Sequence, residues 1–532
     1  MTSAAGTGTE APRQPAPLAL LRALRHLTAL VRIGWTLARH DALFPLEASE
    51  GPSLLLRLIR LAVPPVEAVR GLRPGERMAR ALQSLGPSFI KLGQALSTRS
   101  DLIGEEAAAD LSSLRDRVPP FPTEAAIATV EIELRGRLAD HFSAFDTVPV
   151  AAASVAQVHF AVTTDGREVA VKVLRPGIEQ AFARDLQLFR WLAEQLDRFH
   201  EMKRLKPLDV VERLARSVAF EMDLRLEAAA ASELAENFRD DPDFRVPAID
   251  WKRTSRRLLT TERVRGISVA DREALVAAGH EPREIVRKAA AAFFAMVFRD
   301  GFFHADLHPG NLFVAESGAI VAVDFGIMGR IDRQSRNYLA DMLLGFLTGD
   351  YAKVARVHFE AGYVPADQSI EDFTQACRSI GEPLLGQSLD TISVAGLLSQ
   401  LFGITRQFRM ETQPQLLMLQ KTMVLAEGMG RMLDPTVNIW ILAQPLIEDW
   451  MRRNRSAPAR LAESAADTLG LLQRAPALLA DMERLFRDMT RGGLALHPET
   501  VRALRGPGGT PIAWPLWIAA LALAALALAQ WR

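Results

Sequence analysis

His304-Ala305-Asp306-Leu307-His308-Pro309-Gly310-Asn311, followed by Asp324-Phe325-Gly326, is the stretch from which the rest of the chain is read. Phosphoryl transfer asks for few protein groups. One carboxylate must orient the attacking hydroxyl or take its proton, and an amide and a second carboxylate must hold Mg²⁺ against the phosphates. Asp306 and Asn311 have the Asp-x-x-x-x-Asn spacing that supplies the first two from one loop, and Asp324 supplies the third. Between Asn311 and Asp324 the sequence is apolar, then Gly318, then apolar, as two short strands and a turn would give. A lone Asp-Phe-Gly means little, but the ordered pair with a hairpin between is specific. A surface turn rich in His and Asp is the weaker reading. His304 is read as a brace of the loop, while His308 has no assigned role. A zinc site would need a further ligand.

Upstream, Val169-Ala170-Val171-Lys172 has the pattern of the kinase strand whose Lys faces the α- and β-phosphates and pairs with a helical Glu. A strand over 155–162, the turn Thr163-Thr164-Asp165-Gly166 and a strand over 168–174 form a hairpin around it. The loop before this hairpin is Ala151-Ala152-Ala153-Ser154, where a kinase has glycines. Alanine carries a Cβ and avoids positive φ. The loop is expected to be stiffer and to grip nucleotide differently. It also reads as a plain small-residue turn, and both readings stay open.

The pattern beyond these elements is mostly helical. Residues 77–117 read as helix and turns, Pro119, Pro120 and Pro122 break the chain, and 124–140 read as helix. A long helical stretch covers 178–237, a β-like run returns at 258–264, and 284–300 and most of the chain to 450 are helical. The expected fold is α+β: a protein-kinase-like two-lobed fold with a helical N-terminal extension and a C-terminal transmembrane helix. The expected divisions are a disordered 1–16, a helical extension 17–147, a kinase-like N-lobe with inserted helices 148–266, a helical C-lobe 267–450, a helical tail and linker 451–510, and a transmembrane helix 511–529.

Bulk properties narrow the function classes. The 532 residues exceed one ordinary core. Lys+Arg and Asp+Glu both number 63, so the basic excess of a nucleic-acid binder is missing. Cys377 is the sole cysteine, which excludes an internal disulfide and a multi-Cys metal site. Residues 18–39 form a helical pattern interrupted by Arg22, Arg25, Arg32 and Arg39. It reads as a helix packed on the body or as a basic amphipathic helix on a membrane surface. Residues 511–529 carry no charge, with Trp514 and Trp517 near one end and Trp531 and Arg532 at the other. That composition suits one membrane span with interfacial aromatics. Ala520 and Ala524 add a weak small-xxx-small signal. A buried soluble helix is the alternative.

With these residues in view, the chain from about 75 to 450 resembles the UbiB (ADCK-type) family of atypical kinases. Four motifs stand in the family's order. They are Lys91-Leu92-Gly93-Gln94; the Ala-rich loop Ala151-Ala152-Ala153-Ser154, continuing through Val155, Ala156, Gln157 and Val158 to His159; Glu221-Met222-Asp223, leading to Glu227; and the loop at 304–311 with Asp324. The resemblance implies ATP and Mg²⁺ as cofactors. It implies Asp306 in the catalytic-base position, Asn311 and Asp324 as metal ligands, and Lys172 and Glu227 as the nucleotide-side ion pair. Val150, the Ala-rich loop through Val158, and a hinge at 261–264 including Glu262 and Val264 would line the nucleotide. Lys91, with Gln94, would reach over the site, engage Glu221 and Asp223, and block a protein substrate. Two positions depart from the family's Tyr and Arg, here Leu224 and Leu226. The tail holds one clear span where family members can have two.

The residues support part of this independently. Asp223 and Glu227 are four apart on a helical reading and would share a face. Glu221 adds a third acid, and such a cluster favours a cation: Lys91, Lys172 or Mg²⁺. Arg225 could relieve some of the charge.

Three functions compete. The first is an ATPase or small-molecule or lipid kinase supporting ubiquinone (coenzyme Q) biosynthesis at the bacterial inner membrane. It would have a cytoplasmic catalytic domain and a single C-terminal anchor. Its expected partners are membrane lipid or polyprenyl quinone intermediates and other biosynthetic proteins, with no nucleic acid and a homodimer left open. The second is a nucleotide-binding pseudokinase scaffold. The third is the 2-polyprenylphenol hydroxylase itself, which would need flavin or iron. The sequence shows neither a dinucleotide glycine fingerprint nor paired Glu-x-x-His motifs.

Overall fold

The structure is a computed structural model. It describes residues 16–42, 66–97, 105–112, 119–198, 207–386 and 414–435, with isolated residues between and a few more up to 452. Met1–Trp450 forms one compact unit. Of the expected disordered 1–16, residues 1–15 lie outside the described residues, while Ala16 opens a helix instead; almost all of the tail 451–510 and the expected transmembrane helix 511–529 also lie outside them. Among the described residues, no helix is long and apolar enough to cross a membrane.

The strands in chain order are β1 (Phe142–Phe145), β2 (Ala151–Ala152), β3 (Ala156–Thr163), β4 (Glu168–Leu174), β5 (Phe244–Arg245), β6 (Leu258–Glu262), β7 (Ile267–Ser268), β8 (Phe302–His304), β9 (Leu312–Val314), β10 (Ile320–Ala322) and β11 (Met328–Arg330). The helices used here are α1 (Ala16–Arg39), α2 (Pro74–Leu85), α3 (Pro87–Ser97), α4 (Glu105–Ser112), α5 (Thr123–Leu134), α6 (Leu138–His141), α7 (Ile178–Leu196), α8 (Pro207–Glu221), α9 (Leu224–Asn237), α10 (Arg272–Ala277), α11 (Pro282–Phe294), α12 (Arg333–Thr348), α13 (Tyr351–Glu360), α14 (Ile370–Gly386) and α15 (Pro414–Leu433).

The N-lobe is an antiparallel sheet in the order β1-β3-β4-β6, with β2 added to β3. The β3–β4 turn closes at Gly166, whose φ of +84° suits a residue without a Cβ. Alternation along β4 sorts its side chains. Val169, Val171 and Val173 enter a core with Phe142, Leu258, and Ala126 and Val130 of α5. Leu174 enters a second core with Leu259 and residues of α2, α7, α8 and α9. Lys172 lies on that opposite face and reaches the cleft. The sheet begins at Phe142, before the 148 boundary expected from sequence. β1 is short and follows α6 directly, and its residues fall within the expected helical extension, past the helix read over 124–140.

The helical stretch 178–237 is broken twice. α8 opens at Pro207, which suits a first helical position. α9 starts afresh at Asp223, whose carboxylate accepts from the Arg225 N–H as an N-cap. Glu221 therefore ends one helix and Glu227 lies in the first turn of the next. This corrects the single helix face expected for Asp223 and Glu227.

The C-lobe is helical with small sheets inside it, ordered β5-β10-β9-β7 and β11-β8. α11 runs on through a wider π-helical turn, Ala295–Asp300, and stops at Gly301 with φ +66°. β8 then enters the loop at 304–311, and the β9–β10 hairpin leads to Asp324. α15 is tied to the lobe by an Arg272 Nε–Leu433 carbonyl hydrogen bond of 2.7 Å.

Candidate active site

The loop at 304–311 is fixed from behind. His304 is fully buried, and its Nε2 donates to the Val323 carbonyl at 3.2 Å. Its Nδ1 accepts from the Asp306 N–H at 3.1 Å. Burial pushes its pKa down, which keeps the ring neutral in that tautomer. The Phe325 ring packs against it at 5.6 Å. His304 is thus the brace expected. His308 caps the short turn Pro309–Asn311 by accepting from the Gly310 N–H, and its Nε2 lies 4.0 Å from Asp306 Oδ2.

Asn311 Nδ2 donates to the Asp306 carbonyl at 3.1 Å, and its amide oxygen has no partner among the described residues. Asp324 follows the hairpin with φ +63°, a conformation that costs a non-glycine residue about 1–3 kcal/mol and recurs at functional sites. Its carboxylate is half exposed. The Asn311 oxygen and the Asp324 carboxylate are hard donors of the kind Mg²⁺ takes alongside water and phosphate oxygens. Among the described residues no cluster of three His, Cys, Asp or Glu suits a metal. A dedicated protein cage is therefore not what these residues build, whereas a Mg²⁺ shared with phosphates fits them.

Lys172 is the hub of the cleft. Its Nζ lies 2.8 and 2.9 Å from the two Glu227 oxygens and 2.8 Å from Asp324 Oδ1. Despite its burial, the two carboxylates hold its pKa well above the ordinary lysine value. Burial pushes Glu227 up to about 7, against the pull of Lys172 and with help from the Asp324 charge. Lys172 holds Asp324 well below the usual carboxylate range. One ammonium between two acids separates their titrations.

The Ala-rich loop is a tight hairpin. Ala151 and Ala152 pair with Val158 and Gln157, and the Ala153 N–H donates to the Ala156 carbonyl at 2.8 Å. Ser154, Ala156 and Gln157 are buried and Val155 nearly so, while Val150 is exposed. The Gln157 side chain turns into the lobe. Its oxygen accepts from the Phe121 N–H at 3.0 Å, and its Nε2 meets His159 Nε2 at 2.9 Å. His159 Nδ1 donates to the Asp146 carbonyl, which leaves its Nε2 to accept from Gln157. Gln157 braces the loop from beneath. Arg175 closes the other side, hydrogen bonding the Pro119 and Ala153 carbonyls with its guanidinium 5.1 Å from the Phe121 ring centroid.

At the end of β6 the Glu262 N–H donates to Ala248 and the Arg263 N–H to Glu168. The Glu262 carboxylate pairs with Arg245. The Val264 N–H has no partner among the described residues.

Lys91 Nζ meets Glu221 Oε2 at 2.8 Å, both side chains being largely buried. α3, which carries Lys91, docks through Phe89, whose ring stands edge-on to Phe189 at 5.0 Å. Gln94 donates to the Leu114 carbonyl at 3.3 Å. Asp223 takes Arg225 as its ion-pair partner, so the relief of charge expected from Arg225 goes to that acid. Leu224, at one departing position, is buried, and Leu226 is partly exposed.

One partner was not foreseen. Lys421 of α15 places its Nζ 3.0 Å from Asp306 Oδ1. No local pattern marks it.

Comparison with known proteins finds relatives along most of the chain. A family model described as the ABC1 atypical kinase-like domain matches residues 113–358, and one described as the UbiB helical domain matches 377–438. A probable protein kinase UbiB of Marinobacter nauticus is 42% identical, covering 87% of this chain and 85% of the relative. The chain belongs to the UbiB family of atypical kinases. A UbiB relative from Azotobacter vinelandii is 40% identical over 83% of this chain and 86% of its own, and one from Pseudomonas fluorescens 41% identical over 83% of each. Both are likewise named probable protein kinases. A solved structure titled as a complex of Rv3197 with erythromycin from Mycobacterium tuberculosis is 26% identical, covers 67% of this chain and 90% of its own, and has a TM-score of 0.47. The four UbiB motifs fall within or just before the first matched region. Lys421 falls within the second.

Proposed function

We propose that this chain binds Mg-ATP between its lobes and turns it over, as an ATPase or small-molecule or lipid kinase that supports ubiquinone biosynthesis at the bacterial inner membrane. The observation that carries this is Lys172, held by Glu227 and also bound to Asp324. Glu227 can keep the ammonium in place while its Asp324 contact is exchanged for phosphate oxygens. The Val264 N–H offers an edge donor to adenine, and the hairpin of Ala151–Ala152 would cover the phosphates. Asn311 and Asp324 would hold Mg²⁺, which when bound neutralises charge on the β- and γ-phosphates. Asp306 would orient the attacking oxygen and take its proton.

The buried Lys91–Glu221 pair supports a tightly docked N-terminal extension, in keeping with a site closed to protein substrates. The relatives' name supports the link to ubiquinone. The uncharged 511–529 segment supports a place beside polyprenyl intermediates too apolar to leave the bilayer.

The test uses purified full-length chain with lipid vesicles and a phenol-like headgroup, assayed for phosphate release, beside quinone profiling of cells complemented with wild type or Asp306→Asn. The proposal expects release from wild type and lost quinone in the variant. Mg-ATP binding with no release under any lipid condition would favour the scaffold reading. Normal quinone content with Asp306→Asn would count against turnover.

A further inference from the structure

Lys421 lies outside the kinase-like domain in sequence and yet meets the carboxylate in the catalytic-base position. Both partners are held in place. The Asp306 backbone is fixed by His304 and Asn311. α15 is fixed by buried Leu419, Thr422, Ala426, Met429 and Leu433, and by Arg272 at its end. The contact follows from packing on both sides.

The chemistry of the loop shows what is missing without it. Charge builds on the oxygens of a phosphoryl group in flight, and cations aimed there stabilise the transition state. The residues between Asp306 and Asn311 are Leu307, His308, Pro309 and Gly310, with no Lys or Arg. His308 uses one ring nitrogen on the Gly310 N–H. Lys172 lies on the nucleotide side, paired with Glu227 and Asp324 and not with Asp306. The cation beside Asp306 comes from α15 instead.

We propose that Lys421 is a phosphate-contacting residue of this site. Asp306 holds it in the nucleotide-free chain, and it turns to the γ-phosphate oxygens when ATP is bound. This rests on the nucleotide reading above. In the step itself the bond from the γ-phosphorus to the bridging oxygen breaks. A water or hydroxyl oxygen bonds to phosphorus, its proton passes to Asp306, and ADP leaves with the bridging oxygen and its electron pair. Lys421 donates hydrogen bonds throughout and transfers no proton.

The test compares full-length wild type with Lys421→Met, Lys421→Ala and Lys421→Arg. Mg-ATP and Mg-ADP affinities are measured by titration calorimetry, with phosphate release and urea unfolding alongside. The Met and Ala variants should lose about tenfold in ATP affinity and about a hundredfold in turnover, the scale set by removing one preorganised charge partner. Mg-ADP affinity should hold within about twofold. The unfolding midpoint should also hold, because a half-exposed ion pair adds little to folding. Arg should recover part of both losses. Unchanged turnover and an unchanged ATP-over-ADP ratio would overturn the assignment. Faster turnover would overturn it too, since Lys421 would then be blocking Asp306. Equal loss of ATP and ADP affinity would make Lys421 a support of α15 only. Wild type that binds neither nucleotide would remove the nucleotide reading and Lys421 with it. Wild type that binds both, beside unchanged variants, would remove Lys421 alone.

Discussion

The Lys172 ammonium between Glu227 and Asp324 sets the pH response of the site. Glu227 is raised from about 4.5 to about 7, so the folded chain binds that proton more tightly than the unfolded chain. The associated stability is fully present below pH 4.5 and is lost as pH rises through about 7. Asp324 is shifted the other way, so its contribution changes only below its ordinary value near 3.8. Between pH 4.5 and 7 Glu227 is therefore the titrating member of the three. Glu227→Gln removes that titration, so wild type should lose stability relative to the variant across this window. Thermal unfolding of both at matched pH checks this, and a constant gap would contradict it. Gln157 offers a second residue-scale test. Gln157→Leu would leave the buried Phe121 N–H and His159 Nε2 without their partner. A loss of about 1–3 kcal/mol is expected for an orphaned buried group, read from urea midpoints at constant m.

The elements that aim these residues depend on a few turns. Gly301 ends the π-helical segment at positive φ, and a Cβ there would lie 2.5 Å from the Ile331 carbonyl oxygen. Gly301→Ala should cost at least about 2 kcal/mol through strain and clash together, and should loosen β8 and the loop after it. An unchanged urea midpoint would show that this turn does not hold the loop. The β3–β4 hairpin was legible because valines alternate strictly around Lys172 and Asp165-Gly166 marks the turn, so β4 spans the residues expected. The hairpin before Asp324 was legible for a similar reason. β1 was not, because Phe142–Phe145 has one buried end and no alternation to betray it. The break at Asp223 was hidden because apolar residues run through it, and what separates the two helices is the extended Asp223 with its cap and the Leu224 N–H given to the distant Arg256 carbonyl. Lys421 meets Asp306 across 115 positions. A single long-range ion pair has no periodicity, so nothing in the sequence announced it.

Over the molecule, ion pairs tie together elements remote in sequence. α3 brings Lys91 to Glu221 at the end of α8, β4 brings Lys172 to Glu227 of α9, and α15 brings Lys421 to Asp306. The uncharged segment 511–529 carries the expectation of membrane attachment. The full-length chain should therefore sediment with membranes, and a chain ending at residue 510 should be released in cell fractionation. Equal membrane recovery of both would refute a C-terminal anchor. The central claim is that Asp324 and Lys172 build a Mg-ATP site. Titration calorimetry of ATP into full-length wild type and Asp324→Asn, with and without Mg²⁺, tests it most directly. Mg²⁺-dependent binding by wild type and loss of that dependence in Asp324→Asn are expected. Binding of the same strength in both proteins, indifferent to Mg²⁺, would contradict it.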